Sequence, residues 1–526
     1  MHTEAPAPPD PEAAKRHRTL YRAMKRRLQP KIRRSDITVT DEKTVKRATK
    51  AAALGNAMEW FDFGIYAYLA VTIGKVFFPG TPAAQLLLSF TTFAASFLVR
   101  PLGGLFFGPL GDRIGRKKVL ALTMIMMAIG TFCIGLLPTY SAIGLTAPIL
   151  LLVCRMVQGF STGGEYGGAA TFIAEYAPDK KRGFFGSYLE FGTLAGYTGA
   201  AALILVLNTG LGTDAMESWG WRIPFLIGGP IGLVGLYLRM KLDETPAFQK
   251  MAAEQHAANA NQNARAAAST ANGNGGNGNG ENNGNGTEKD MPVLSENAPK
   301  KEFKELFAGQ WQRLLICIGL VAAYNICHYM LTSYMPAYLT DSLGYGSSME
   351  LIAAIIAMVA MMAVIHRVGH LNDRIGRKPV LMAGMVGFLV LSVPAFWLFQ
   401  LGSFVFVLLG LLILGACLVC LLGTMSATLP ALFSTDVRYG GLSIGYNIAV
   451  AAFGGTAPGV MTYLVNATHD KMAPAYYASF AGLIGIVAVA CLKETARKPL
   501  EGSPPAVATK KEAEDMARAQ GQDPAF

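Results

Sequence analysis

The chain has 526 residues, of which 52% are hydrophobic and only 15% charged, and its mean hydropathy is +0.33. So apolar a composition excludes a water-soluble protein of this length and points to a membrane protein. The net charge of +11 does not point to nucleic acid, because Lys and Arg gather in the tails and in alternate connections, a distribution that records membrane orientation.

Residues 1–47 form a basic tail without the apolar core of a signal peptide, expected in the cytosol. Residues 48–243 then hold six apolar runs, near 50–73, 84–107, 118–137, 147–175, 186–208 and 221–240, each about the length that crosses hydrocarbon. Such runs must be helices, because lipid offers no partner to an unpaired backbone group. Residues 244–308 are a linker with an Asn/Gly-rich core that lacks the apolar residues to fold alone. The flanking KKEFKELFAGQW reads as a short amphipathic surface helix. Six more runs fill 309–495, near 312–339, 349–368, 380–399, 403–432, 441–466 and 474–492, and 496–526 is a short tail whose KKEAEDMARAQ segment cannot sustain a coiled coil.

The connections GDRIGRKK, DKKRG, DRIGRKP and TDVRY are basic, whereas those between them are uncharged, acidic or, at THDK, mixed. That alternation fits twelve helices with both termini in the cytosol. All seven cysteines lie in apolar runs, which argues against a disulfide framework or a zinc site, and Cys417 with Cys420 reads as a pair of small core residues. The sequence contains no nucleotide motif, metal-ligand cluster or nucleophile–base pair, so neither an enzyme nor a cofactor or metal is expected.

The segment GPLGDRIGRKKVL at 108–120 recurs as GHLNDRIGRKPVL at 369–381, each time between the second and third runs of its half. Two copies at equivalent places indicate an internally duplicated transporter. The candidate gate residues are Gly108, Asp112, Arg113, Gly115 and Arg116 in the first copy, and Gly369, Asp373, Arg374, Gly376 and Arg377 in the second. The glycines permit close helix approach, and either aspartate suits a helix N-terminus or an arginine.

Asn56, Glu59 and Asp62 recur at three-residue steps and share a face of the first run, while Arg155, Gln158, Thr162 and Glu165 line one face of the fourth. Arg100 lies late in the second run. Glu190, early in the fifth, is expected close enough to the cytosol to be solvated. Each charge at the bilayer centre costs roughly 2.5–3.5 kcal/mol, so six facing lipid would cost about 15–20 kcal/mol, and they must face inward. Glu59, Asp62 and Glu165 are the candidates for proton coupling. The candidate solute-binding set is Asn56, Tyr66, Arg100, Arg155, Asn325, Tyr329 and Asn447. His328 reads as a satisfied core residue rather than a proton carrier.

With GNAMEWFDFGIYAY, FLVRPLGGLFFGPLGDRIGRKK, RMVQGFSTGGEYGGA, SWGWRIPF, LDETPAF, YMLTSYMPAYL, TLPALFSTDVRY and MPAYY, the chain resembles the major facilitator superfamily and, within it, the metabolite:proton symporter family. It is most similar there to proton-coupled proline/glycine betaine transporters, from about residue 35 to 500. The resemblance implies an all-α integral membrane fold of twelve helices in two pseudo-symmetric six-helix bundles. It also implies alternating access, driven by the proton gradient, in a monomeric unit of the bacterial inner membrane. A compatible solute such as proline or glycine betaine is the expected cargo. The alternative is an organic acid such as citrate, 2-oxoglutarate or shikimate.

Overall fold

The computed structural model describes residues 37–114, 116–240 and 309–518; the linker and most of its expected surface helix lie outside the described residues. The helices form twelve spans. The first is Glu42–Tyr68 with Ala70–Phe77, the second Pro82–Leu98 with Arg100–Ile114, the third Arg116–Leu136, the fourth Thr146–Thr162 with Glu165–Tyr176, the fifth Arg182–Leu211 and the sixth Arg222–Met240. The seventh, Trp311–Tyr329, runs on to Ser342 with π-helical turns. Ser347–Ile375, Arg377–Phe399, Phe404–Thr428, Arg438–Ala449 with Ala457–Thr468, and Ala473–Cys491 complete the second half.

Eight helices among the described residues are long and apolar enough to cross a bilayer, and Ala121–Leu136 and Arg222–Gly235 are shorter apolar helices. The two spans outside both sets are the first and fourth, which carry the charged ribbons. Outward-facing side chains such as Val206 and Val405 are apolar and exposed, as lipid contact requires. In the first half the fifth span packs on the first and the sixth on the third; in the second half the ninth packs on the tenth and twelfth. The halves meet along two seams, fifth against eighth and second against eleventh. Six-span duplication exchanges these seams, since the second span corresponds to the eighth and the fifth to the eleventh.

Close helix approach is set by glycine. A Cβ on Gly159 would lie 1.7 Å from the Ser96 carbonyl oxygen, and one on Gly192 would lie 2.2 Å from that of Ala53.

Three features depart from the sequence reading. The first span begins at Glu42, inside the expected tail, because Asp41 caps it by accepting from the Lys43 N–H at 3.1 Å and Thr44 Oγ1 at 2.8 Å. The fourth span divides at Gly163–Gly164. The two ends of the chain meet, since strand Thr38–Val39 pairs in parallel with Ala506–Val507 and helix Lys510–Arg518 buries Ala513 against Ile37 and Val507.

Candidate functional site

The periodicity of the first span brings Asn56, Glu59 and Asp62 onto its inner face, 4%, 1% and 4% exposed. The second span breaks at Val99, and Arg100 opens its continuation. Arg100 Nη2 donates to Glu59 Oε1 at 2.6 Å, and both side chains are 1% exposed. Arg100 Nε and Nη1 are buried with no hydrogen-bond partner among the described residues.

Asp62 has a different setting. Its Oδ2 accepts from Thr131 Oγ1 at 2.8 Å, Gln158 Nε2 donates to that hydroxyl at 2.7 Å, and Arg155 Nη1 donates to Gln158 Oε1 at 2.9 Å. Asp62 and Arg155 are thus joined through two neutral groups rather than by an ion pair. Arg155 also donates to Ser96 Oγ at 3.2 Å and lies 4.3 Å from the Tyr66 ring centroid. Tyr66 itself donates to the Ser89 carbonyl at 3.0 Å. Glu165 is buried at the start of the second piece of the fourth span.

Glu190 is not solvated, contrary to the sequence reading: it is 1% exposed. It accepts from Tyr166 Oη at 2.7 Å, Thr193 Oγ1 at 3.2 Å and, across the two halves, Tyr324 Oη at 3.2 Å. Thr193 in turn accepts from Asn56 Nδ2 at 2.7 Å, and Trp60 Nε1 donates to Asn56 Oδ1 at 3.1 Å. Asn56 donates as well to the Leu189 carbonyl at 2.8 Å, so its amide is committed to holding the first span against the fifth.

From the second half, Asn325 donates to the Val321 carbonyl at 2.8 Å, leaving its Oδ1 without a partner among the described residues. Tyr329 Oη is likewise buried and unbonded there. Neither ring nitrogen of the fully buried His328 has a hydrogen-bond partner among the described residues, so this side chain is not a satisfied core histidine. Asn447 sits on the second seam, where its amide donates to the Gly163 carbonyl of the other half and to Ser443 O. Two guanidiniums and four carboxylates thus lie buried near the middle of the spans: Arg100 and Arg155 with Glu59, Asp62, Glu165 and Glu190.

The candidate gate residues of the second copy lie at the end of the molecule that carries the tails. Asp373 accepts from the backbone N–H groups of Gly183 at 2.8 Å and Phe184 at 2.9 Å, placing a carboxylate of one half on the N-terminus of the fifth span in the other. Gly369 permits the approach, because a Cβ there would lie 2.8 Å from the Gly183 carbonyl oxygen. Gly376 turns with φ +109°, Arg374 is exposed, and Arg377 is buried, donating to the Ala427 carbonyl and Thr495 Oγ1, both at 2.8 Å. Arg377 therefore ties helices together rather than anchoring a loop in water. Gly115 and the side chains of Asp112, Arg113 and Arg116 lie outside the described residues, as do the surroundings of Gly108. Sequence reading missed further ties across the halves here, Arg438 to Glu175 at 2.8 Å and Arg182 to the Lys498 carbonyl at 3.1 Å. Arg438 and Arg182 do stand in the basic connections, but their partners are far away in sequence.

A family model described as "Sugar (and other) transporter" matches residues 48–506. The chain is 44% identical over 494 residues to the "Proline/betaine transporter" of Escherichia coli K12, covering 94% of this chain and 92% of that one. It is equally similar, 44% over 494 residues with the same coverage, to the "Glycine betaine/proline/ectoine/pipecolic acid transporter OusA" of Dickeya dadantii. The "Ectoine/proline transporter ProP" of Corynebacterium glutamicum is 40% identical over 501 residues, 94% of this chain and 93% of that one. Among solved structures, the proton:xylose symporter XylE bound to 6-bromo-6-deoxy-D-glucose has a TM-score of 0.64 at 17% identity, covering 88% of this chain and 98% of that chain. That likeness establishes the major facilitator fold.

Proposed function

The chain belongs to the sugar (and other) transporter family, and we propose that it is a proton symporter importing a zwitterionic compatible solute, such as proline or glycine betaine, by alternating access. The observation that carries this reading is the buried charged centre, where Arg100 keeps two unbonded donor nitrogens beside its bond to Glu59, and Asp62 has a hydroxyl partner in place of a cation. Arg100 is suited to one carboxylate. Arg155 is engaged by Gln158, Ser96 and the Tyr66 ring and keeps one unbonded nitrogen, Nε, against two on Arg100, so Arg100 is the better seat for a single carboxylate, which favours a zwitterion over a citrate-like acid. Asp62 is the foremost proton carrier in this scheme, with Glu59 and Glu165 beside it. The names of the similar transporters, which include proline, betaine and ectoine, support the solute class.

The tail-bearing end then faces the cytosol of a bacterium and the working unit is a monomer in the inner membrane. The proton gradient is the driving force, with no cofactor. One net positive charge carried inward gains roughly 2.3 kcal/mol per 100 mV, or about fifty-fold in concentration. The test is uptake of labelled proline, glycine betaine, citrate and 2-oxoglutarate by cells stripped of their own transporters, with and without a protonophore. Proline and betaine should accumulate, and the protonophore should abolish it. Accumulation of citrate alone would overturn the solute, and indifference to the protonophore would overturn the coupling.

A further inference from the structure

Where the halves meet at mid-span, the side chains are predominantly aromatic. Trp60 lies 5.5 Å from Tyr197, 5.5 Å from His328, 5.8 Å from Tyr329 and 5.7 Å from Phe63, ring centre to ring centre. Trp60 and Tyr197 belong to the first half, His328 and Tyr329 to the second. Tyr324 stacks behind His328 at 5.5 Å and 10°, with its hydroxyl on Glu190.

Two of these rings are held in place by their polar ends: Trp60 by Asn56 Oδ1, and Tyr197 by Ser333 Oγ at 2.9 Å. The others are not, since Tyr329 Oη and both His328 nitrogens are buried and unbonded among the described residues. Buried polar atoms cost stability unless something pairs with them, so these unbonded groups suit the carboxylate end of a solute, whose other end then lies against the ring faces. Arg100 is near, because its guanidinium lies 5.3 Å from the Phe97 ring and that ring lies 5.3 Å from Tyr329.

We infer that the rings of Trp60, Tyr197, His328 and Tyr329 form the subsite for a quaternary ammonium head, while Arg100 takes the carboxylate of the same solute. The inference rests on the transport reading above and names the chemistry that reading leaves open. A trimethylammonium group has no N–H to donate, so a hydrogen-bonding acceptor does little for it. Its charge is spread over methyl groups that pack on the negative faces of aromatic rings. The carboxylates of Glu190, behind Tyr324, and Glu59, on Arg100, deepen the negative field without touching the methyl groups. Because the rings come from both halves, the bound head group holds the halves together, linking occupancy to alternating access.

The experiment compares binding of glycine betaine with 3,3-dimethylbutanoate, which has the same shape and carboxylate but a neutral tert-butyl group, to the purified full chain. The wild type should prefer betaine by about tenfold or more. Trp60→Leu should weaken betaine by a similar factor and reduce the preference to within about threefold, while Trp60→Phe falls between. If Trp60→Leu does not fold, Tyr329→Leu carries the same expectation. A wild type that binds betaine and the neutral isostere alike overturns the ring subsite but leaves the transport reading standing, as does a Trp60→Leu variant that keeps full preference. Absence of binding for both betaine and proline defeats the transport reading itself.

Discussion

Removing one member of the Glu59–Arg100 pair leaves a charge in a dry interior, which costs about 3–5 kcal/mol, far more than the net worth of the intact pair. Glu59→Gln should therefore lower thermal stability in detergent sharply, and Glu59→Gln combined with Arg100→Gln should recover much of the loss, as read by thermal unfolding. The first-span ribbon was legible in the sequence because a three-residue step repeats on one helical face, so Asn56, Glu59 and Asp62 were placed inward by cost alone. Their partners were not legible. Nothing in the spacing connects Asp62 to Thr131 or Asn56 to Thr193, and Glu190 was misread because nearness to a span's start says little about depth once three hydroxyls enclose the carboxylate.

At the scale of the element, helix ends are secured by groups from elsewhere in the chain. Asp373 does this for the fifth span, taking one of the two partners the repeated motif left open. Glu494 does it for the ninth, accepting from the N–H groups of Arg377 at 3.1 Å and Lys378 at 3.0 Å, and from Thr495 and Ala496 at 2.9 and 2.8 Å. Burial pushes the Glu494 carboxyl up, but these backbone donors outweigh it and hold it below the usual 4.5. A carboxylate with a depressed value contributes stability that is complete above the ordinary value and fades as the pH falls through the lower one. The difference in thermal stability between wild type and Glu494→Gln should thus be constant from about pH 7 to 5 and shrink below about 4.5. A difference that grows on acidification would reject this role. The pairing of Thr38–Val39 with Ala506–Val507 was invisible from sequence, because two-residue strands carry no alternation to detect and the partners lie at opposite ends of the chain.

On the scale of the whole molecule, the duplicated DRIGRK segment and the charge alternation make two six-helix halves legible in the sequence itself. The two seams, fifth on eighth and second on eleventh, follow from that duplication, although which residues bond across them does not. The charged centre and the aromatic cluster lie between the halves, and in the proposed scheme solute, proton and the closure of the halves act there on one equilibrium. Asp62, like Glu190, is held by hydroxyl groups rather than a cation, and in the proposed scheme it is the one that carries the proton with the solute. The deciding measurement places wild type and Asp62→Asn in proteoliposomes and compares solute exchange without a gradient to accumulation under an imposed inward proton gradient. The expected result is exchange in both and accumulation in the wild type alone. Full gradient-driven accumulation by Asp62→Asn would contradict it.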